Sequence, residues 1–219
     1  MTKTKSTQKK NALITGATGL VGGELLRLLL SEPDYKSIIA VGRNNTGIIH
    51  PKLEEHEMDL SELESFKPDH KIDEVFCTLG TTIKAAGSQD RFYKVDHDFV
   101  LASARLAAKI KAGKFLVVSA LGASCDSGVF YNRVKGEMER DIKKEKIPCI
   151  HVFRPSLLLG KRKEFRMSEK VFQSILPLFS LSGAFKKYRP VEAAAVALSM
   201  VECAKKNETG FHIHENDTI

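Results

Sequence analysis

The chain has 219 residues, which is long enough for one α/β domain with a sizeable core. Its composition, 42% hydrophobic and 28% charged, is ordinary for a globular protein. No apolar run is long enough to cross a bilayer, so we expect no membrane span. The net charge of +7 is compatible with a phosphorylated ligand, and because nucleic-acid binding would rest on charge alone, we expect no nucleic-acid partner.

The cysteines are scattered, and no pair has the C-x-x-C spacing of a zinc or thioredoxin-like site. Reduced, buried cysteines are typical of cytoplasmic proteins, so we expect that location. Residues 1–10 are polar and lack the apolar segment of a secretory signal, which predicts a flexible N-terminal lead.

Short apolar runs alternate with longer amphipathic runs along most of the chain. The predicted strands are residues 11–15, 37–41, 53–58, 74–79, 114–119, 149–153 and 210–214. The predicted helices are residues 20–31, a short one after 59–61, 90–111, 129–145, 161–176 and 191–206, with a loop at 180–188. This alternation indicates an α/β protein with a doubly wound parallel sheet, the Rossmann fold. We expect a single NAD(P)-binding domain at 11–219, in which residues 161–219 contribute a small C-terminal lobe on the substrate side.

Three glycines with the spacing G-x-x-G-x-x-G extend from the end of the first predicted strand into the first predicted helix. Gly16 permits a tight turn, Gly19 lets the backbone approach a pyrophosphate, and Gly22 lets the helix lie close to the sheet. The helix N-terminus offers N–H groups and the positive end of its dipole to an anion. The pattern predicts a dinucleotide loop whose cofactor-binding residues are Gly16, Thr18, Gly19, Leu20, Val21 and Gly22.

The second predicted strand ends in Gly42-Arg43-Asn44. NAD-selective sites usually carry Asp or Glu here, ~20 residues past the loop, to bind the ribose 2′-hydroxyl. Arg43 could instead pair with a 2′-phosphate and stack on the adenine, although a plain surface arginine is the other interpretation. The missing acid favours NADP(H) as the cofactor, with NAD(H) as the alternative.

Tyr131 and Lys135 are four residues apart in a predicted helix and therefore share one face. A neighbouring lysine favours the phenolate, so we expect the pKa of Tyr131 to lie below its usual ~10. Tyr131 could then exchange a proton with a carbonyl or alcohol oxygen while a cofactor moves hydride. Ser119 could hydrogen-bond that oxygen, with Ser124 as the alternative, and either serine could instead cap local backbone.

The histidines give little support for a metal site. His97 has acidic neighbours in the long predicted helix, but adjacent residues of a helix do not share a face. We therefore expect His97 to be an ordinary polar residue on the helix surface and not a metal ligand. His212 and His214 share one face of the last predicted strand. Two histidines without a third ligand are weak evidence, and we expect no metal.

Several segments resemble the short-chain dehydrogenase/reductase superfamily in its atypical or extended branch, and within it the oxidoreductases similar to the Tat-interacting protein. The most specific segment is Cys-Thr-Leu-Gly-Thr-Thr at 77–82. The other segments lie at 16–22, 41–43, 95–100, 131–137 and 152–155. The resemblance extends over residues 11–160 and more loosely to the C-terminus.

The resemblance implies roles for further residues. Ser119, Tyr131 and Lys135 would form the catalytic set beside the cofactor, and Lys135 would also hold the nicotinamide ribose. Ala120 follows Ser119 where relatives often have a second serine, which is a departure from the pattern. The other residues implied to bind the cofactor are Asp59, Leu60, Leu79, Gly80, Thr81, Pro155, Ser156 and Leu157.

The sequence therefore predicts an NADP(H)-dependent oxidoreductase that transfers hydride to or from a carbonyl or alcohol substrate of unspecified identity. The alternative is a non-catalytic NADP(H)-binding regulatory or redox-sensing protein that acts through a protein partner. A homodimer through helices 90–111 and 129–145 is a further hypothesis, by analogy only.

Overall fold

The computed structural model describes residues 9–160 and 188–219. The strands in these ranges are β1 (Lys10–Thr15), β2 (Tyr35–Gly42), β3 (Leu53–Glu57), β4 (Glu74–Cys77), β5 (Lys114–Val118), β6 (Cys149–Arg154), β7 (Leu158–Leu159), β8 (Val191–Glu192) and β9 (Gly210–Glu215). Seven of them form one parallel sheet in the spatial order β3-β2-β1-β4-β5-β6-β9. The short strands β7 and β8 pair with each other.

Helices connect the strands and cover the sheet. The α-helices within the described residues are α1 (Leu20–Ser31), α2 (Ile83–Ala86), α3 (Gln89–Tyr93), α4 (Phe99–Lys109), α5 (Phe130–Ile142) and α6 (Ala193–Lys205). A π-helical turn (Lys94–Asp98) joins α3 to α4, and 3-10 helices lie at Leu60–Ser65 and Asn216–Thr218. In the described ranges, no helix combines the length and the apolarity needed to cross a membrane.

Alternate residues of β1 pack on opposite faces of the sheet. Ala12 and Ile14 lie in the core formed with α1 and α6, whereas Leu13 lies in the core formed with α4 and α5. Because both faces of the sheet are buried, the central strands are nearly continuous apolar runs in the sequence. The predicted doubly wound Rossmann fold is confirmed.

The chain reverses its direction of winding between two central strands, because β1 pairs with β2 on one side and with β4 on the other. In open parallel sheets, ligands bind outside the carboxyl ends of the strands at such a reversal. Thr15 and Cys77 are paired at the ends of β1 and β4, so the segments that follow them, 16–22 and 78–82, meet at this point.

Residues 188–219 extend the main sheet. Helix α6 packs on α1, and β9 is the seventh strand, beside β6. The first two residues predicted for the last helix form β8 instead, because they pair with β7. The predicted helix at 161–176, most of the predicted loop at 180–188, and residues 1–8 of the predicted lead lie outside the described residues.

Candidate active site

The glycine loop brings β1, α1 and the end of β4 closer together than side chains would permit. Gly16 has a φ of +83°, and a Cβ there would lie 2.7 Å from the carbonyl carbon of Thr78. A Cβ on Gly22 would lie 2.1 Å from the carbonyl oxygen of Gly16. The Gly19 N–H donates to that same oxygen at 2.8 Å, which closes the turn. The tight turn and close helix approach predicted for these glycines are therefore present.

The N-terminus of α1 is suited to an anion. Its N-cap residue is Gly19, no side chain caps it, and its first turn contains no acidic residue. The first N–H groups of a helix lack intrahelical acceptors and carry the positive end of the dipole. A phosphate group would satisfy both features, so this end of the loop fits a dinucleotide.

A cleft of about 560 Å³ opens beside this loop, between the carboxyl ends of β2 and β4 and the helices after β4. The predicted cofactor-binding residues that line it are Gly16, Thr18, Gly19, Arg43, Asp59, Leu60, Leu79, Gly80 and Thr81. Leu20, Val21 and Gly22 lie in the first turn of α1, where Val21 is buried in the core, and are not among the residues that line the cleft.

Charged side chains line the cleft near the end of β2. Arg43 is exposed there, and Arg91 and Lys94 approach from α3 and the π-turn. Two acidic residues of the lining are already engaged: Glu55 accepts the Thr46 N–H at 2.7 Å, and Asp59 accepts the Ser61 N–H at 2.9 Å. The bonds from Ser61 hold the pKa of Asp59 below its usual value, and Lys94 and Arg43 contribute to the same shift.

Lys135 is fixed in the protein interior by Asp96, an acid that the sequence patterns did not indicate. Its Nζ lies 2.7 Å from Oδ1 of Asp96, and both side chains are at most 3% exposed. The Thr81 N–H donates to the other oxygen of Asp96 at 2.8 Å. A Cβ on Gly80 would lie 3.3 Å from Asp96 Oδ1, so the glycine permits this close approach. Asp96 thus connects Lys135 to the segment after β4 that lines the cleft.

Tyr131 lies next to this ion pair. Its ring packs against Phe92 with centroids 5.3 Å apart. Burial raises the pKa of Tyr131 above its usual value; Lys135 opposes that shift and Asp96 reinforces it. The prediction of a lowered pKa was wrong. It included the charge of Lys135 but neither the burial of Tyr131 nor the charge of Asp96, and both of these raise the pKa. In this state the phenol keeps its proton at neutral pH and can act as a donor.

Lys135 itself is held as an ammonium. Burial alone would lower its pKa, but the carboxylate of Asp96 opposes that effect, and the pKa of Lys135 is raised above its usual value. The structure therefore brings Tyr131 and Lys135 together, as predicted from their spacing.

Ser119 is buried and its hydroxyl is already bonded to another side chain. Its Oγ donates to Oε1 of Glu139 at 2.5 Å, and Glu139 also receives two bonds from the guanidinium of Arg154. Arg154 in turn contacts Glu215 at 2.9 Å, which ties β6 to β9. The alternative, Ser124, is exposed, and its Oγ accepts the Asp126 N–H at 3.3 Å. An orienting role for Ser119 stays a prediction, because its hydroxyl would first have to leave Glu139.

The segment after β6 is anchored to the C-terminal residues. The Ser156 N–H donates to Oδ1 of Asn216 at 2.8 Å, and the Leu157 carbonyl accepts the Val191 N–H at 2.9 Å. Neither these residues nor Pro155 belong to the lining of the cleft. Their contact with the nicotinamide stays a prediction from the family resemblance.

The π-turn explains why Asp96 was missed. The N–H of Phe99 bonds to the carbonyl of Lys94, one residue further back than in an α-helix. Adjacent residues Asp96 and His97 are both buried as a result. The surface position expected for His97 was wrong: its ring bridges Asp98 at 2.8 Å and Asp141 at 3.1 Å. An acid four residues after a core phenylalanine, Phe92, was the available signal.

Comparisons with solved structures support the fold. The WbmH enzyme of Bordetella bronchiseptica, solved with NAD+, superposes with a TM-score of 0.70 at 16% identity and covers 94% of this chain and 76% of that one. UDP-glucose 4-epimerase of Thermotoga maritima gives a TM-score of 0.68 at 17% identity, with 94% and 76% covered.

Sequence comparisons support the predicted resemblance. Protein HTATIP2 of Rattus norvegicus is 34% identical over 166 residues, which cover 74% of this chain and 68% of that protein. The mitochondrial protein FMP52 of Candida albicans is 29% identical over 206 residues, 91% and 90% of the two chains. Because fungal relatives are named as mitochondrial, the cytoplasmic location stays a prediction.

The family assignment rests on the segment that contains the site. The sequence profile of the NAD dependent epimerase/dehydratase family matches residues 12–136, which include the glycine loop and both members of the Tyr131–Lys135 pair. The chain belongs to the NAD dependent epimerase/dehydratase family.

Proposed function

We propose that this protein is an NADP(H)-dependent oxidoreductase of the short-chain dehydrogenase/reductase type, which transfers hydride to or from a carbonyl or alcohol substrate. The observation that carries the proposal is the buried ion pair of Lys135 and Asp96, with the half-buried phenol of Tyr131 one helical turn before the ammonium. Apolar residues in place of a buried ion pair are often equally or more stabilising, so stability alone does not account for a lysine and an aspartate at this position.

The residues of the cleft fit the proposed cofactor. The N–H groups around Gly19 would hold the diphosphate, and Leu79, Gly80 and Thr81 would line the nucleotide. When bound, the nicotinamide supplies or accepts the hydride. Lys135 would contact the nicotinamide ribose, as the family resemblance implies.

The preference for NADP(H) is proposed on the charge around the end of β2. Arg43 is exposed at the cleft, in the place where an NAD-selective site carries an acid. Its planar guanidinium can bond a 2′-phosphate through two N–H groups, and Arg91 and Lys94 add positive charge to the same lining. A ribose 2′-hydroxyl would leave this charge without a partner.

Tyr131 would act as the acid in reduction. Its hydroxyl proton moves to the carbonyl oxygen as hydride reaches the carbonyl carbon, and the phenolate formed is stabilised by the ammonium of Lys135. In alcohol oxidation the phenolate takes the proton back. Asp96 is a positioning residue in this scheme, because it holds Lys135 and not the substrate.

The test has two steps. NADPH and NADH are first titrated by fluorescence into the wild type, Arg43→Ala and the control Arg27→Ala, an exposed arginine paired with Glu24. We expect NADPH to bind at least tenfold tighter than NADH, and only Arg43→Ala to remove that preference. A preference for NADH would contradict the role of Arg43.

Carbonyl and alcohol substrates are then screened with the wild type, Tyr131→Phe and the control Tyr93→Phe, a tyrosine stacked on His97. We expect Tyr131→Phe to lose turnover by roughly a hundredfold or more while it still binds the cofactor, and Tyr93→Phe to keep turnover. Equal turnover in Tyr131→Phe would overturn the proposed acid.

A regulatory or redox-sensing protein that binds NADP(H) and acts through a protein partner is the second candidate. The observation in its favour is the hydroxyl of Ser119, which is already bonded to Glu139. Tight cofactor binding without any turnover that depends on Tyr131 would favour this candidate.

A further inference from the structure

Histidine and cysteine side chains meet at the edge of the sheet opposite to β3. Cys149 and His151 are two residues apart on β6, and His212 and His214 are two residues apart on β9, so each pair points to one face. The strands are in register, with His151 beside His212. Helix α6 covers this face and adds Cys203, which is buried.

Three potential ligand atoms converge within this group. Nδ1 of His151 lies 3.0 Å from Nε2 of His214, and the same Nε2 lies 3.8 Å from Sγ of Cys203. All three atoms lie within 4.8 Å of one another. Tetrahedral zinc, bound at about 2.0 Å by nitrogen and about 2.3 Å by sulfur, places two nitrogens about 3.3 Å apart and a nitrogen and a sulfur about 3.6 Å apart. The separations between His151 and His214 and between His214 and Cys203 are close to these values.

The neighbouring side chains hold these ligands in place. The other ring nitrogen of His151, Nε2, lies 3.2 Å from Sγ of Cys149, so Cys149 contacts the side of the ring that is turned away from the three atoms. The ring of His214 stacks on Phe153 with centroids 4.6 Å apart. His212 stacks on His151, but its Nε2 donates to the carbonyl of Thr209 at 2.9 Å. Metal-binding histidines are commonly oriented by such outer contacts.

We propose that His151, Cys203 and His214 form a Zn²⁺-binding site. Two imidazoles and one thiolate are ligands that Zn²⁺ accepts readily, and a fourth position is left for water or another donor. His151 and Cys203 are buried and His214 is half-buried, so an ion would enter from the side of β9. Because the ligands belong to β6, α6 and β9, the ion would fasten the last helix and strand to the sheet. None of the three lines the dinucleotide cleft.

The contact between His151 and His214 also fits a hydrogen bond between two neutral rings, and the test must separate the two interpretations. The full chain is freed of metal with a chelator and titrated with Zn²⁺, and in parallel with Co²⁺, whose absorption reports a bound thiolate. We expect one equivalent of each ion to bind, a thiolate-to-cobalt absorption band, and a melting temperature that rises with Zn²⁺. Failure of the wild type to bind one equivalent of either ion would overturn the proposal.

The variants identify the ligands. Cys203→Ser should lose the thiolate band and bind Zn²⁺ at least tenfold more weakly, whereas Cys149→Ser and the distant Cys125→Ser should keep the band. His214→Gln, at the half-buried edge, is the second variant if Cys203→Ser does not fold, and it should lose the rise in melting temperature. An unchanged band in Cys203→Ser, or an unchanged rise in His214→Gln, would contradict the site.

Discussion

Among single residues, Asp96 determines the protonation state of Lys135, the proposed catalytic lysine. A buried ammonium without a partner is strongly disfavoured, and Asp96 supplies the opposite charge at 2.7 Å. The Thr81 N–H bonds the second carboxylate oxygen, so the acid is itself held in place. Lys135 therefore stays charged beside Tyr131, which is the condition that the proposed proton transfer requires.

Asp96→Asn tests this dependence without any substrate. The amide can still accept the Thr81 N–H but leaves the buried ammonium of Lys135 without its carboxylate, so we expect the free energy of unfolding to fall by about 3 kcal/mol. Asp98→Asn removes the same charge from the same π-turn at an exposed position, and should change it by less than about 1 kcal/mol. Denaturant unfolding measures the free energy of unfolding of both variants. Equal losses of stability would show that the Lys135–Asp96 ion pair stabilises the fold no more than an exposed acid does.

The roles of individual residues could be predicted from the sequence where those roles depend only on the spacing between nearby residues. Tyr131 and Lys135 could be recognised because four residues on a helix place them on one face. The orientation of Ser119 depends on Glu139, twenty positions away, and could not be read from its place at the end of a strand. Asp96 was hidden because a π-turn changes which neighbours face inward.

Among the elements, β1, the glycine loop and α1 form the most locally determined unit. The loop depends on glycine at each of three positions, because a side chain would meet backbone atoms of the loop itself or of the segment after β4. The three glycines fall within seven consecutive residues, so the order strand, loop, helix and its position in the chain could be predicted from the sequence. The π-turn and β8 could not, since each depends on contacts with distant segments.

Two adjacent glycines in α1 provide a matched pair of variants. Gly22→Ala places a methyl group 2.1 Å from the Gly16 carbonyl oxygen, so we expect the loop to be displaced and the affinity for NADPH to fall at least tenfold. In Gly23→Ala the nearest atom is 3.7 Å away, so affinity should be unchanged while the helix gains up to about 1 kcal/mol. Equal affinities by fluorescence titration would mean that the loop does not hold the cofactor.

In the whole molecule, the cleft and the histidine–cysteine group lie in different parts of one sheet. The cleft forms where the strand order reverses between β1 and β4. His151 and His214 are 63 positions apart and meet only because β9 pairs with β6. His212 and His214 without a third ligand predicted no metal, since the pairing of β9 with β6 cannot be read from the local sequence.

Binding of NADP(H) in the glycine-loop cleft can be measured by amide hydrogen exchange of the full chain with and without saturating NADPH. We predict slower exchange in residues 16–23 and 78–82, where N–H groups would contact the cofactor or be covered by it, and unchanged exchange in β9. Unaltered exchange in residues 16–23, or protection confined to other segments, would show that NADPH does not bind at the glycine loop.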